Sequence, residues 1–151
     1  MSIEKKVHQL QFKNGYHRLT INLIYTTNLL QAFLSEIFKK EGLTLQQYNI
    51  LRILRGSKPM PLSTLEIRER MMDKMSDTSR IVDRLLKKEM VTKVKSATDN
   101  RLVEVRIADR GIQLLKRLDD IEDKIASFLG NLSEAEAQQI SGLLDKIHDN
   151  K

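Results

Sequence analysis

The 151 residues suffice for one domain, and a composition of 40% hydrophobic and 30% charged residues excludes an intrinsically disordered chain. Cysteine is absent, which excludes disulfides and thiol chemistry and fits a reducing compartment, so we expect a cytoplasmic protein. The longest charge-free run, residues 19–35, is too short and too polar to span a bilayer, so we expect no membrane partner. Aromatic residues are scarce and glycine and proline are few, so helices are favoured over strands.

Positive charge is concentrated in the middle of the chain. The net charge is +6, and the segment from Arg52 to Arg117 holds 17 lysines and arginines against 9 acids, or +8. A basic segment between near-neutral ends is typical of a polyanion-binding surface, although solvated helix faces would give the same count.

The N-terminal part predicts a short helix or arm over residues 3–14 and then a long helix over residues 16–41. Apolar residues recur at heptad spacing in the long helix, as at Leu23 and Leu30, and others lie on further sides of it. Two cations in the last turn and Gly42 just beyond it mark its end. Because the helix is apolar on more than one side, we expect a second subunit to cover it.

Two capping boxes open the next two helices. Thr44 and Gln47 begin one helix, and Ser63 and Glu66 begin the other, since a hydroxyl followed three residues later by Gln or Glu satisfies two free backbone N–H groups. Between the two helices, residues 59–61 (Pro-Met-Pro) predict an extended link.

A pair of short helices joined by a brief turn follows from this pattern. The apolar side of the helix after Ser63 is predicted to comprise Leu65, Ile67 and Met71 or Met72. Ser76 is the expected N-cap of the next helix. The arrangement is a helix-turn-helix, although a helical hairpin in a bundle has the same pattern.

A basic β-hairpin is predicted directly after these helices. β-Branched residues alternate with polar ones over residues 91–96 and again over residues 103–107. Asp99 and Asn100 supply the turn geometry at the tip. A helix-turn-helix followed at once by such a hairpin, the wing, is a winged helix, which is more specific than either part alone.

The helix that begins at Ser76 has a sharply divided pattern at about 100° per residue. Its inward residues are predicted to be Ile81, Val82, Leu85 and Leu86. Its outward residues are predicted to be Ser76, Arg80, Asp83, Arg84 and Lys87. Arginine binds guanine bidentately and hydroxyls meet bases or phosphates, so this face suits a DNA major groove, although any one of these side chains could simply be solvated. We expect Asp83 to pair with Arg80 or Lys87.

At the tip of the wing, Arg101 is predicted to enter a narrow minor groove, where the negative potential is strongest. Asp99 would orient its guanidinium, unless it is an ordinary turn residue.

The C-terminal part predicts one long helix from Asp109 to Leu129 and a final helix capped by Ser133. The apolar seam of the long helix steps by four and three residues through Leu114, Leu118, Ile121, Ile125 and Phe128. The final helix carries Ile140, Leu143, Leu144 and Ile147 on one side. We favour a dimer contact for these apolar faces over packing within one chain.

These segments resemble the MarR family of bacterial transcription regulators. The wing motif of that family reads Asp-x-Arg, then Val-x-Leu-Thr and a glycine, and it is matched by residues 99–101, residues 105–108 and Gly111. Residues 43–51 are similar to the second-helix signature, and residues 79–88 are similar to the recognition helix. The likeness spans nearly the whole chain and is most specific in the middle.

Two positions depart from the family pattern. Ala108 stands where a threonine usually caps the following helix, and Glu89 stands where a glycine usually ends the recognition helix. The missing cysteines exclude the thiol-sensing mode of the peroxide-responsive members.

The resemblance implies a mainly α fold with a small β-hairpin wing. It implies a single domain over residues 1–151, in which a winged helix-turn-helix at about residues 44–110 lies between N- and C-terminal dimerisation helices at about residues 16–41 and 111–149. The predicted DNA-binding residues are Ser76, Asp77, Thr78, Ser79, Arg80, Arg84, Lys87, Lys95, Asp99 and Arg101.

The function that the resemblance implies is a homodimeric regulator, most often a repressor, that binds double-stranded DNA at a pseudo-palindromic operator. Many members release DNA when a small phenolic or anionic effector binds, but no residue of this chain is assigned to such a ligand. The alternative is a winged-helix protein-interaction module without specific DNA binding.

An enzyme is not expected. His8, His17 and His148 are scattered and show no metal-ligand spacing, and no glycine-rich phosphate loop or nucleophile elbow occurs. We therefore predict no catalytic residue, no metal and no cofactor.

Overall fold

The computed structural model describes residues 2–9, 11–95 and 103–149. The chain divides into two compact units, residues 1–114 and residues 115–151. The division falls within one helix, so the domain limits expected from the sequence remain predictions.

The first unit begins with a short helix, α1 (Ile3–Lys6), and a long helix, α2 (Gly15–Lys40). The long helix was expected, and α2 differs from its predicted limits by one residue at each end. Of the short helix or arm predicted over residues 3–14, the structure has a helix at Ile3–Lys6. The Asn14 side chain accepts a hydrogen bond from the His17 backbone N–H and so caps α2 at its start. Gly42, at φ +67°, ends the helix in a Schellman motif, where the left-handed backbone favours glycine.

Helix α3 (Leu45–Ser57) supplies much of the core of this unit. The Thr44 and Gln47 capping box opens it, as predicted. Its buried apolar residues are Tyr48, Ile50, Leu51 and Leu54. After α3 the chain makes a turn, closed by a 2.9 Å hydrogen bond from the Met60 N–H to the Ser57 carbonyl, where an extended link had been predicted.

Two short helices and a small sheet complete the winged-helix arrangement. Strand β1 (Leu62–Ser63) leads into α4 (Thr64–Arg70), and α5 (Thr78–Lys87) precedes β2 (Val91–Lys95) and β3 (Val103–Ile107). The antiparallel order is β1-β3-β2, so the β2–β3 hairpin expected from the alternating pattern is confirmed. Val91 and Val105 are buried, and the register places both on the same face of the sheet, because side chains alternate between the two faces along each strand.

The apolar side of α4 is narrower than the sequence suggested. Ile67 and Met71 are buried, whereas Leu65 and Met72 are exposed. A seven-residue helix turns only about one stripe of side chains toward the core, so Leu65, two positions before Ile67, faces away from it. Met72 lies beyond the end of the helix.

The predicted single helix over residues 109–129 is wrong. The structure has α6 (Asp109–Arg117) and α7 (Ile121–Phe128), separated by a turn at residues 118–120. In the turn, backbone N–H groups bond three residues back, as from Leu118 to Leu115 at 3.0 Å. Asp119 and Asp120 are poor helix formers, and Asp120 pairs with Lys124 at 2.7 Å.

The last helix, α8 (Glu134–His148), lies in the second unit and begins at the predicted Ser133 capping box. No residue of α8 is buried. None of the helices within the described ranges is long and apolar enough to cross a membrane.

Candidate nucleic-acid interface

The start of α5 is built by two aspartates. Asp77 is the N-cap, and its carboxylate accepts a 3.1 Å hydrogen bond from the Arg80 backbone N–H. Ser76 was predicted to be the cap, but its hydroxyl instead donates to Asp73 Oδ2 at 2.7 Å in the preceding turn. That bond, with one from the Met75 N–H, lowers the pKa of Asp73.

The inward side of α5 differs from prediction in three residues. Val82 and Leu85 are buried, as expected, but Ile81 is only half-buried and Leu86 is 37% exposed. Thr78 was predicted to contact DNA, yet its side chain is only 3% exposed and donates a 3.3 Å hydrogen bond to Met71 Sδ. The α4–α5 contact therefore takes Thr78 into the core, which corrects its prediction as a DNA-binding residue.

The outward side of α5 is exposed and mostly basic. Ser79, Arg80, Arg84 and Lys87 are all exposed, and Ser76 is half-buried beside them. Asp77 is exposed as well, and its Oδ2 lies 3.9 Å from Arg80 Nε. The structure thus brings the predicted outward cations of α5 together on one surface.

Of the wing, the structure describes strands β2 and β3. Lys95, at the end of β2, is exposed. Asp99 and Arg101, the two residues predicted for the tip of the wing, lie outside the described residues.

Asp83 pairs with a residue outside its own helix. Its Oδ1 accepts a 2.7 Å hydrogen bond from Lys93 Nζ on β2, not from Arg80 or Lys87 on its own helix. This hydrogen bond and the charge of Lys93 lower the pKa of Asp83. Helical spacing cannot reveal the contact, because it depends on how β2 returns along α5.

A groove of about 460 Å³ lies between α4 and the start of α5. Its lining residues are Thr64, Leu65, Arg68, Met75, Ser76, Asp77, Thr78 and Ser79. Arg68 and the 93% exposed Met75 were not among the predicted site residues. The outward position of Arg68 on the capped helix α4 was the signal that could have identified it.

The C-terminal end of α5 is tied to other elements of the first unit. Lys88 Nζ donates to the Gly42 carbonyl and, at 3.4 Å, to Gln47 Oε1. Glu89 has a left-handed φ of +57° and pairs with Arg110 Nη1 at 3.0 Å. These contacts hold the last turn of α5 against the α2–α3 junction and α6.

Within the ranges that the structure describes, no three His, Asp or Glu side chains are grouped so that they could hold a metal ion. The exposed side of α5 carries cations, hydroxyls and a helix N-terminus, which are groups of the kind that bind phosphates and base edges.

Comparison with known proteins gives consistent matches. The family model described as MarR family matches residues 43–103. The chain is 28% identical to the HTH-type transcriptional repressor IacR of Pseudomonas putida over 128 residues, which are 83% of this chain and 72% of that protein.

Two solved structures have the same fold. A MarR transcription factor from Planctomyces limnophilus is 31% identical with a TM-score of 0.68, and the match covers 89% of this chain and 98% of that one. The Staphylococcus aureus MepR–DNA complex is 18% identical with a TM-score of 0.78, covering 93% of this chain and 100% of that one. The second likeness concerns the fold alone.

Proposed function

This chain belongs to the MarR family of DNA-binding transcription regulators, and we propose that it acts as a homodimeric repressor at a pseudo-palindromic operator. The observation that carries the proposal is the exposed basic side of α5, followed directly by the β2–β3 hairpin. A recognition helix and a wing in this order contact a major groove and its flanking backbone.

The proposed contacts divide by their chemistry. Arg80 and Arg84 read guanine edges in the major groove, since an arginine fork binds two acceptors at once. Lys87 and Lys95 bind phosphates and position the helix without reading sequence. The N-terminal side of the helix, at Ser76, Asp77 and Ser79, lies near base edges and phosphates. In the wing, Asp99 orients Arg101 in the minor groove.

Homodimer formation is proposed for the apolar surfaces of α2 and α8. On α2, Leu19, Ile24 and Leu29 are each about half exposed. On α8, Ile140, Leu143 and Ile147 are 45%, 56% and 40% exposed. Covering such surfaces with a second copy removes them from water. A dimer would also present two recognition helices about 34 Å apart, the spacing of successive major grooves on one face of DNA.

Release by a small effector is part of the proposal. A groove of about 380 Å³ lies beside α2 and the start of α3, and its lining includes Lys39 and Leu43. A cation beside apolar surface suits a small phenolic or anionic molecule. A ligand that prefers a dimer with wrongly spaced recognition helices would weaken DNA binding by a population shift.

The proposal is tested by binding of the purified protein to its own upstream intergenic DNA and to a scrambled duplex across a salt series. We expect selective binding that weakens with salt. Arg84→Ala should weaken DNA binding by about 1–3 kcal/mol and relax selectivity at one base pair of the operator. Arg101→Ala should lose most of the affinity for DNA. Lys13→Ala removes one positive charge from an exposed site before α2, and it should change neither the affinity for DNA nor the selectivity.

Equal and weak binding to both duplexes, unchanged in Arg84→Ala and Arg101→Ala, would contradict the proposed function as a transcription regulator. If other natural intergenic sequences gave the same result, the winged-helix protein-interaction module would be the better function. Its partner would then be sought at the apolar surfaces of α2 and α8.

A further inference from the structure

The exposed basic side of α5 carries an acid, Asp83, that the proposed contacts do not use. At about 100° per residue, Asp83 lies between Ser79 and Lys87 around α5, within the basic surface. Its side chain is 55% exposed. A carboxylate without a partner in this position would repel DNA phosphates, because like charges repel.

Lys93 is the partner of this carboxylate. The 2.7 Å contact between Lys93 Nζ and Asp83 Oδ1 joins β2 to α5, and it lowers the pKa of Asp83, which keeps this carboxylate ionised near neutral pH. The pair has no net charge. A lysine ammonium on a flexible stem would otherwise be free to reach a phosphate.

We propose that Asp83 is a specificity-determining residue: it holds Lys93 against the recognition helix and so limits sequence-independent binding to DNA. The inference rests on the proposed function. Sequence-independent affinity comes almost entirely from phosphate contacts. A flexible ammonium finds a phosphate in any register of binding, whereas base contacts impose one register on an operator. Releasing Lys93 therefore strengthens binding to wrong sequences more than binding to the operator.

The test compares wild type, Asp83→Asn and the double variant Asp83→Asn/Lys93→Gln. Binding to a scrambled duplex is measured between about 50 and 200 mM salt, and the affinity for the operator is measured beside it at one salt concentration. Asp83→Asn should steepen the slope of log affinity against log salt by about 0.9, which is one more phosphate contact. Between the lowest and the highest salt concentration, the variant then loses about threefold more affinity than wild type does. The double variant should return to the wild-type slope, because it again has no net charge at this pair.

Asp145→Asn on α8 is the matched control. It removes the same negative charge at an exposed position of the second unit, and it should leave the slope unchanged. Thermal unfolding of each variant checks the fold, which should persist because Asp83 and Lys93 are 55% and 39% exposed.

Three results would overturn the inference. An unchanged slope in Asp83→Asn would mean that the released Lys93 gains no phosphate contact. A double variant with a shallower slope than wild type would mean that Lys93 already binds phosphate in the native protein. Equal strengthening on the operator and the scrambled duplex would mean that Asp83 does not affect specificity. A wild-type protein that does not discriminate the two duplexes would instead refute the proposed function, while the slopes on scrambled DNA would still decide whether Asp83 withholds Lys93.

Discussion

Replacing Gly111 with alanine should destabilise the protein, although glycine in a helix is normally the less stable choice. Gly111 lies in α6, where alanine would gain about 1 kcal/mol in helix propensity. A Cβ at this position would lie only 2.5 Å from the Met90 carbonyl oxygen and 2.9 Å from Ile107 Cγ1. The carbonyl belongs to the backbone and already accepts a 3.0 Å hydrogen bond from the Ala108 N–H, so it cannot move freely.

The cost can be worked from these contacts. Overpacking of this kind costs about 1–3 kcal/mol, and disturbing the Ala108–Met90 hydrogen bond costs about 1 kcal/mol more. When the gain in helix propensity is subtracted from these costs, we expect Gly111→Ala to lower the free energy of unfolding by about 2 kcal/mol. For a chain of this length, that lowers the melting temperature by about 4–8 °C.

Thermal and urea unfolding at one fixed protein concentration measure this loss, because the stability of a dimer depends on concentration. Gly56→Ala is the control, since Gly56 is also helical and a Cβ there meets nothing within 4 Å. That variant should be neutral or stabilised by up to about 1 kcal/mol. A Gly111→Ala protein as stable as wild type would refute the close approach of α6 to Met90.

Three further outcomes follow from the described contacts. Glu89→Gly should raise the melting temperature by about 2–4 °C, because it relieves a left-handed residue at a cost of only an exposed ion pair to Arg110; a lower melting temperature would contradict this. The hydrogen bond from Arg18 holds the pKa of Glu4 at about 2, below its usual 4.5, so its contribution is present above about pH 4.5 and is lost as the pH falls toward 2. Urea unfolding of Glu4→Gln should therefore show a smaller loss of stability over that pH range, and the same loss as wild type would count against the pair. Leu143→Glu should weaken dimer association about 100-fold in sedimentation experiments, because it buries an unpaired charge, whereas Gln138→Glu on another side of α8 should not.

Features that depend on a few neighbouring residues could be read from the amino-acid order. The capping boxes at Thr44, Ser63 and Ser133 and the glycine end of α2 are all formed by groups within about five residues of one another, and the structure contains each of them. The β2–β3 pairing also follows from local alternation of β-branched residues. The basic side of α5 follows from helical periodicity for the same reason.

Other features depend on contacts between segments that are distant along the chain. Thr78 is buried because α4 brings Met71 against it, and Asp83 binds Lys93 because β2 returns beside α5. The glycine at position 111 is required by the Met90 carbonyl, twenty-one residues earlier. Periodicity states which side chains share a side of a helix, but only the packed chain decides which neighbour each side meets and which charges remain free for DNA.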